Sequence, residues 1–495
     1  MKKIIIALVA FVIAFGALMS CSDWAMLEEH PKQIASVTYL KNAEEVQSII
    51  NSVYYQLRRD APGFGRYLVV LPEALSDYCW GRGNFASSLE TGLTSGGQNF
   101  SKDSWAILFR GVRYMNEMLT NLDPSVLSDV EYSTLIGEAR FLRAFNYSFL
   151  VKLFGGVALH TEQNWQELCK PRSSSEDIWN YVKQEAKWAS ENLPEKATQT
   201  GRPSKYSALL LYAEACLYLN EYSEAKLALK EIVESGKYSL VQITKVEDYD
   251  NIFGANVDGS SEEMFYIKYN RDVTNSVAWM YLSGGNKQNP TIAGATGIWT
   301  DIKKNKFIAN WDTNDFRFDW NLEQNNSATM NGLTTAGDGY IPVKFRDHEA
   351  TGSKWANDMP VYRYTDAMLY YAEAICQSNG APDAIAMDMI NQIHRRAYGY
   401  PTNAPSPVDY ALADYNTKVK FMDLLLKERG YETMFEGKRY FDLKRLGLLA
   451  EYSVRAGKID SVDKVGDAAY WWPIPADEFN YNPHSDPVKD QNPGY

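Results

Sequence analysis

Residues 138–159 read EARFLRAFNYSFLVKLFGGVAL, and this stretch decides the fold class. Together with Leu135, the residues Ala139, Leu142, Phe145, Phe149 and Leu153 recur at three- and four-residue steps. That spacing puts them on one face of an α-helix about five turns long. Gly155 and Gly156 then end the helix, because glycine takes the backbone angles a helix terminus needs. Arg140 and Arg143 lie close to the apolar face. They are expected to pair with carboxylates or helix ends rather than to touch a ligand. A helix carrying five aromatic residues is expected at the centre of a large, mainly α body.

Working outward, the same periodicity predicts helices over 41–59, 103–121, 129–154 and 176–192. Ser173-Ser174-Ser175-Glu176 reads as a capping box for the last of these. Residues 204–219 and 222–234 form two amphipathic segments joined at Asn220-Glu221, a tetratricopeptide-type pair. The motif Tyr212-Ala213-Glu214-Ala215 returns as Tyr371-Ala372-Glu373-Ala374, so 366–377 and 382–396 form a second copy. The earlier helices supply two more, degenerate pairs. Helices are also predicted over 417–427 and 431–446, and the tail over 471–495 is expected to be extended and docked.

Two segments break the helical pattern. Residues 61–98 hold seven glycines interleaved with aromatic residues and read as a long loop. Residues 236–360 shift toward Gly, Asn, Asp and Thr and carry Trp279, Trp299, Trp311, Trp320 and Trp355, with short strands expected at 263–268 and 340–345. Insertions within helical repeats often build a binding face.

The chain has 495 residues, 23% of them charged and 45% hydrophobic, which suits a soluble globular protein. Its net charge of −12 argues against a nucleic-acid partner. There are 13 Trp, 33 Tyr and 20 Phe; most are expected in the core, and a surplus of Trp and Tyr in polar, glycine-rich segments would suit stacking on sugars or bases. The first 20 residues combine two lysines with an apolar run and a small residue before Cys21, the pattern of a signal peptide. Leu18-Met19-Ser20-Cys21 is similar to a bacterial lipobox, which would make Cys21 the lipidated first residue of the mature chain. Residues 21–40 would then be a tether, and 41–495 a single domain.

Catalytic signatures are not found. There is no HExxH, GxSxG or P-loop, the five histidines are scattered, and no cysteines are spaced to hold a metal. Gly81-Arg82-Gly83 lacks the third glycine and the preceding strand of a dinucleotide fingerprint. No metal or cofactor is therefore assigned. A glycosidase needs two facing carboxylates. On a continuous helix Glu436 and Asp442 lie about 240° around the axis from one another. Glu432, Glu436, Arg439, Asp442 and Arg445 instead read as a charged helix face stabilised by pairs three and four residues apart.

The ligand-binding candidates are Trp80, Arg82, Asn84 and Phe85 in the first glycine-rich segment, and Trp279, Tyr281, Trp299, Trp311 and Trp320 in the second. An exposed Trp presents a flat apolar face to the C–H side of a sugar, and Asn and Arg supply directional donors. Trp80 and Phe85 have a second reading, as plugs that fix the loop to the core. Taken singly, each aromatic residue of the later segment is read as core before ligand contact; together they predict at least one at a site.

Four motifs make the chain similar to SusD/RagB family nutrient-binding lipoproteins. They are Cys21 followed by Ser-Asp, EARFLRAFNYSFLVKLFGGVAL at 138–159, KERGYETMFEGKRYFDLKRLG at 427–447, and the closing WPIPADEFNYNP…QNPGY at 472–495. Ala158 stands where the family commonly has proline. The resemblance implies a helical body of four tetratricopeptide-like pairs with a variable ligand-binding region. It also implies lipid anchorage on the outer-membrane surface, and a SusC-type TonB-dependent transporter that receives captured oligosaccharide, or in some members peptide. Its motifs are structural, so they assign no ligand residue. A protein-binding repeat scaffold and a surface glycosidase are the readings from other classes.

Overall fold

The computed structural model describes residues 40–59, 61–81, 85, 87–272, 298–324, 339–351 and 354–495. Helices dominate. They are α1 (Ala43–Arg58), α2 (Tyr67–Leu75), α3 (Ser95–Asn121), α4 (Asp129–Phe154), α5 (Ser175–Asn192), α6 (Lys205–Tyr218), α7 (Tyr222–Glu234), α8 (Asp250–Phe253), α9 (Lys306–Ala309), α10 (Phe316–Asn321), α11 (Tyr364–Asn379), α12 (Ala384–Ala397), α13 (Lys418–Glu432), α14 (Arg439–Arg445), α15 (Leu449–Ala456) and α16 (Ala476–Tyr481). The strands are short: β1 (Trp80–Gly81), β2 (Ser87–Ser88), β3 (Gly92–Leu93), β4 (Glu263–Ile267), β5 (Ile298–Asp301), β6 (Leu322–Gln324), β7 (Gly339–Pro342) and β8 (Met359–Arg363).

The helix read first, α4, does sit at the centre, but it is more deeply enclosed than a one-faced stripe predicts. Every residue from Leu135 to Phe154 except Arg140 is buried. It packs between α3 and α5 and against α1, while Phe145 meets Phe265 of β4 and Tyr362 of β8 edge-on. A Ser128–Glu131 capping box starts it, and Gly155 ends it at φ 74°. Arg143 is fully buried and holds Glu185 at 2.5 Å, Glu162 at 2.6 Å and the Asn116 side chain at 2.7 Å. Arg140 shares Glu185 at 2.9 Å. Both arginines are therefore scaffold residues.

The two related helix pairs pack directly on one another. Neighbours in the stack run α4–α5, α5–α6, α6–α7, α7–α11 and α11–α12, so α11 takes the next place after α7 despite the long segment between them. β4 and β8 close the base of that segment as an antiparallel pair, with Glu263 opposite Arg363 and Ile267 opposite Met359. The capping box of α5 uses Ser174 and Asp177, not the Ser173–Glu176 spacing.

Two expectations are corrected. Within 61–98 the chain forms α2, whose nine residues are all buried, and α3 begins at Ser95 rather than near 103. The second correction concerns 431–446, which is not one helix. The chain leaves α13 after Glu432, turns through Phe435 at φ 61°, and re-enters helix at Arg439. The expected face of local charge pairs is absent among these residues, because their side chains are buried and reach distant partners. Glu432 takes Arg363 at 2.9 Å and Arg396 at 2.5 Å. Glu436 takes Arg363 at 2.7 Å and Lys344 at 2.6 Å. Asp442 takes Arg429 at 2.8 Å, and Arg445 takes Glu373 at 2.6 Å. A buried charge needs a partner and further hydrogen bonds to offset desolvation, and this segment supplies them from five separate parts of the chain.

Candidate functional site

The two irregular segments singled out in the sequence meet in one sheet. Its strand order is β1-β5-β7-β6, so the middle of the first glycine-rich segment supplies an edge strand to the second. Trp80 lies opposite Trp299, and Gly81 opposite Ile298. Gly81 is required there: a Cβ would fall 1.9 Å from the carbonyl oxygen of Phe85.

The approach to β1 is fixed by side chains from far along the sequence. Thr300 Oγ1 donates to the Tyr78 carbonyl at 2.7 Å, and Asn305 Nδ2 to the Asp77 carbonyl at 2.9 Å. Lys458 Nζ donates to the carbonyls of Ala74, at 2.8 Å, and Ser76. These carbonyls lie at the C-terminal end of α2 and just beyond it, where a cation is favoured by the helix dipole. Burial pulls the Lys458 ammonium down to about 8. The Tyr78 hydroxyl donates to Glu73 and accepts from the Phe435 N–H at 3.1 Å. The Gly437 N–H donates to Glu73 at 2.7 Å, so the turn between α13 and α14 also holds this segment.

On this base the rings of Trp80 and Trp299 stack with centroids 5.2 Å apart and planes inclined by 22°. Both residues are partly exposed. The exposed Lys304 places its ammonium 5.9 Å from the Trp299 ring. The result is a rigid, partly exposed indole surface with a cation beside it. Such a surface can take the apolar face of a sugar ring while a donor meets its hydroxyls.

Of the residues named from sequence, the structure brings Trp80 and Trp299 together. Arg82, Asn84, Trp279 and Tyr281 lie outside the described residues, as does Cys21. Phe85 is a correction: it is buried, packed on Tyr67 and Phe100, and plugs the segment onto the core. Trp311 and Trp320 are corrected likewise. Trp311 stacks on Tyr431 at 4.0 Å with planes 7° apart, and its indole N–H donates to Asp315 at 2.9 Å. Trp320 is 2% exposed, with the Arg346 guanidinium 4.1 Å from its ring. Neither can meet a ligand without unpacking. Thr300, Asn305 and Lys458 had no signal in the sequence, because their role depends on pairing across more than two hundred residues.

Cys216, Glu221 and Glu224 have ligand-type atoms within 4.8 Å of one another, which is the geometry of a possible metal site. Glu221 is held by Lys183 at 2.7 Å and Glu224 accepts from the Tyr212 hydroxyl at 2.6 Å, so both carboxylates already have partners. Glu436 and Asp442, the carboxylates weighed above as a hydrolytic pair, are committed to Arg363, Lys344 and Arg429.

Comparison with known proteins gives consistent likenesses over nearly the whole chain. Residues 239–495 match the SusD family, and residues 27–217 match a family described as starch-binding, associating with the outer membrane. SusD-like protein P2 of Formosa agariphila is 24% identical, over 98% of this chain and 99% of its own. A SusD homologue from Bacteroides thetaiotaomicron superposes with a TM-score of 0.77 at 22% identity, covering 94% of this chain and 100% of its own. Surface glycan-binding protein A from the same organism, solved in complex with laminarihexaose, gives 0.71 at 19% identity, covering 91% and 99%. The structural likenesses establish the fold: a helical-pair scaffold with an irregular, partly β insertion.

Proposed function

The chain belongs to the SusD family, and on that footing we propose that it is a non-catalytic, cell-surface protein that binds oligosaccharide and delivers it to a SusC-type TonB-dependent outer-membrane transporter. The observation that carries the reading is the stacked, partly exposed Trp80–Trp299 pair at the junction of the two irregular segments. A flat indole surface held by buried hydrogen bonds costs little ordering entropy on binding, and it selects for rings with an apolar face. The glycan-binding names of several structural neighbours point the same way.

The anchoring part of the proposal rests on the N-terminal sequence. Residues 1–20 are the export signal, Cys21 the lipidated residue, and residues 21–40 a tether to the body formed by 41–495. Among the described residues no helix is long and apolar enough to cross a membrane.

Isothermal titration against a panel of neutral oligosaccharides, β-glucans included, tests the reading. Binding to at least one, weakened by Trp80→Ala, is the expected result. Peptides that bind where no glycan does would replace it with peptide capture, and release of reducing sugar by the purified protein would overturn the non-catalytic assignment.

A further inference from the structure

A second concavity lies between α9, α13 and α15, with a volume of about 380 Å³. It shares no lining residue with the Trp80–Trp299 stack. The buried pair Asp77 and Arg439 lines it, joined at 2.9 and 2.7 Å. Phe307, Tyr431 and Tyr452 give it aromatic walls. Its size falls in the roughly 300–1,000 Å³ range of small-molecule sites, and the mixture of ring faces with a few polar groups is characteristic of them.

Its charge sets it apart from the rest of the chain. The lining carries Lys306, Lys420, Lys427, Arg439 and Arg455 against Asp77 and Asp423, in a protein of net charge −12. Arg439 is matched by Asp77, and Arg455 by Asp423 at 2.9 Å. Lys427 lies 3.9 Å from Glu428 and donates to the Tyr410 hydroxyl. Among the described residues, Lys306 and Lys420 have no carboxylate within salt-bridge distance, and both are exposed. Lys420 also sits in the first turn of α13, which contains no acidic residue.

We propose that this cavity is a second saccharide site, which takes a sugar residue bearing a carboxylate or sulfate group. The anion is held by Lys306 and Lys420. The ring lies against the partly exposed Phe307 on the aromatic wall. The inference rests on the reading that the protein binds glycans, but it concerns residues that the indole platform does not use.

Titration of the purified protein with methyl glucuronoside, galactose 6-sulfate and methyl glucoside tests it, and the first two arms distinguish carboxylate from sulfate. At least one anionic probe should bind, about tenfold or more tighter than the neutral one, and more weakly as salt rises from about 50 to about 300 mM. Lys306→Met with Lys420→Met should cost that probe at least about tenfold, Lys306→Arg with Lys420→Arg should restore most of it, and Trp80→Ala should leave it unchanged. Failure of both anionic probes to bind, or binding indifferent to the methionine pair, overturns the proposal. If neutral oligosaccharides still respond to Trp80→Ala in that case, the oligosaccharide-binding reading survives alone. Anionic binding that persists while no neutral oligosaccharide binds supports the cavity and removes the indole platform.

Discussion

Arg439 holds Asp77 across 362 residues of sequence, with Nε donating to Oδ1 at 2.9 Å and Nη2 to Oδ2 at 2.7 Å. Both side chains are 1% exposed. The pair ties α14, in the 427–447 motif, to the segment that leads into β1 and Trp80. Removing one member of a buried pair leaves the other charge without compensation. Arg439→Met is therefore expected to lower unfolding free energy by about 3–5 kcal/mol, read from urea denaturation. Combining it with Asp77→Asn should recover much of that loss, because the stranded charge is gone. Equal midpoints for the single and double variants would show that the two residues are not coupled.

The tryptophans divide into two experimental classes. Trp299→Ala removes half of the exposed stack and should weaken oligosaccharide binding by about tenfold, the equivalent of about 1.4 kcal/mol, with little change in melting temperature. Trp311→Ala deletes a buried ring stacked on Tyr431 and breaks the bond to Asp315. It should cost about 3–5 kcal/mol of stability, with ligand affinity preserved in the fraction that stays folded. Affinity lost on Trp311→Ala and kept on Trp299→Ala would move the site away from the β1–β5 junction.

Periodicity exposed the elements that have one wet face. α1, α5, α7 and α12 alternate buried and exposed residues and were legible to within a few positions. α2 was hidden for the opposite reason: all nine of its residues are buried, so no polar face marks the turn, and Pro72 reads as a break. The charged residues from Glu432 to Arg445 follow helical spacing and look like a solvated face, yet a left-handed turn at Phe435 interrupts them. A phenylalanine gives no warning of positive φ, which is paid for here by its N–H bond to Tyr78 and by the surrounding ion pairs. For the site, composition found both irregular segments and the two residues that stack. It could not pair Trp80 with Trp299, because strand register between segments so far apart is a tertiary property.

Cys21 gives a prediction about place rather than affinity. A chain held by several acyl groups partitions firmly to a membrane, so if Cys21 carries them as proposed, its removal leaves only protein contacts. Cys21→Ala should shift the protein from the membrane to the soluble fraction of cells and abolish incorporation of labelled fatty acid. Purified Cys21→Ala protein should keep its melting temperature and its glycan affinity, since Cys21 lies well before Ala43, where the first helix among the described residues begins. Unchanged membrane retention without label would assign attachment to protein contacts, such as those with the proposed transporter.

Glu73 makes stability depend on pH with a definite sign. Burial pushes its carboxyl up from 4.5 to about 7, against the opposing effect of the bonds from Tyr78 and Gly437. Between those two values the folded chain keeps a proton that the unfolded chain has released. Stability therefore falls as pH rises through the window, and the full penalty is present above about 7; below about 4.5 both states are protonated and the penalty vanishes. A shift of this size corresponds to at most about 3 kcal/mol. Glu73→Gln preserves the shape and cannot ionise. The difference in unfolding free energy between Glu73→Gln and the parent should therefore move in favour of the variant from pH 4.5 to pH 7.5, by up to that amount. Taking the difference cancels the other carboxylates, including Glu432 and Glu436, which their arginine and lysine neighbours hold well below the usual range despite burial. A difference that stays flat over the window would mean that Glu73 is already ionised in the folded chain at pH 4.5, with the Tyr78 and Gly437 donors outweighing its burial.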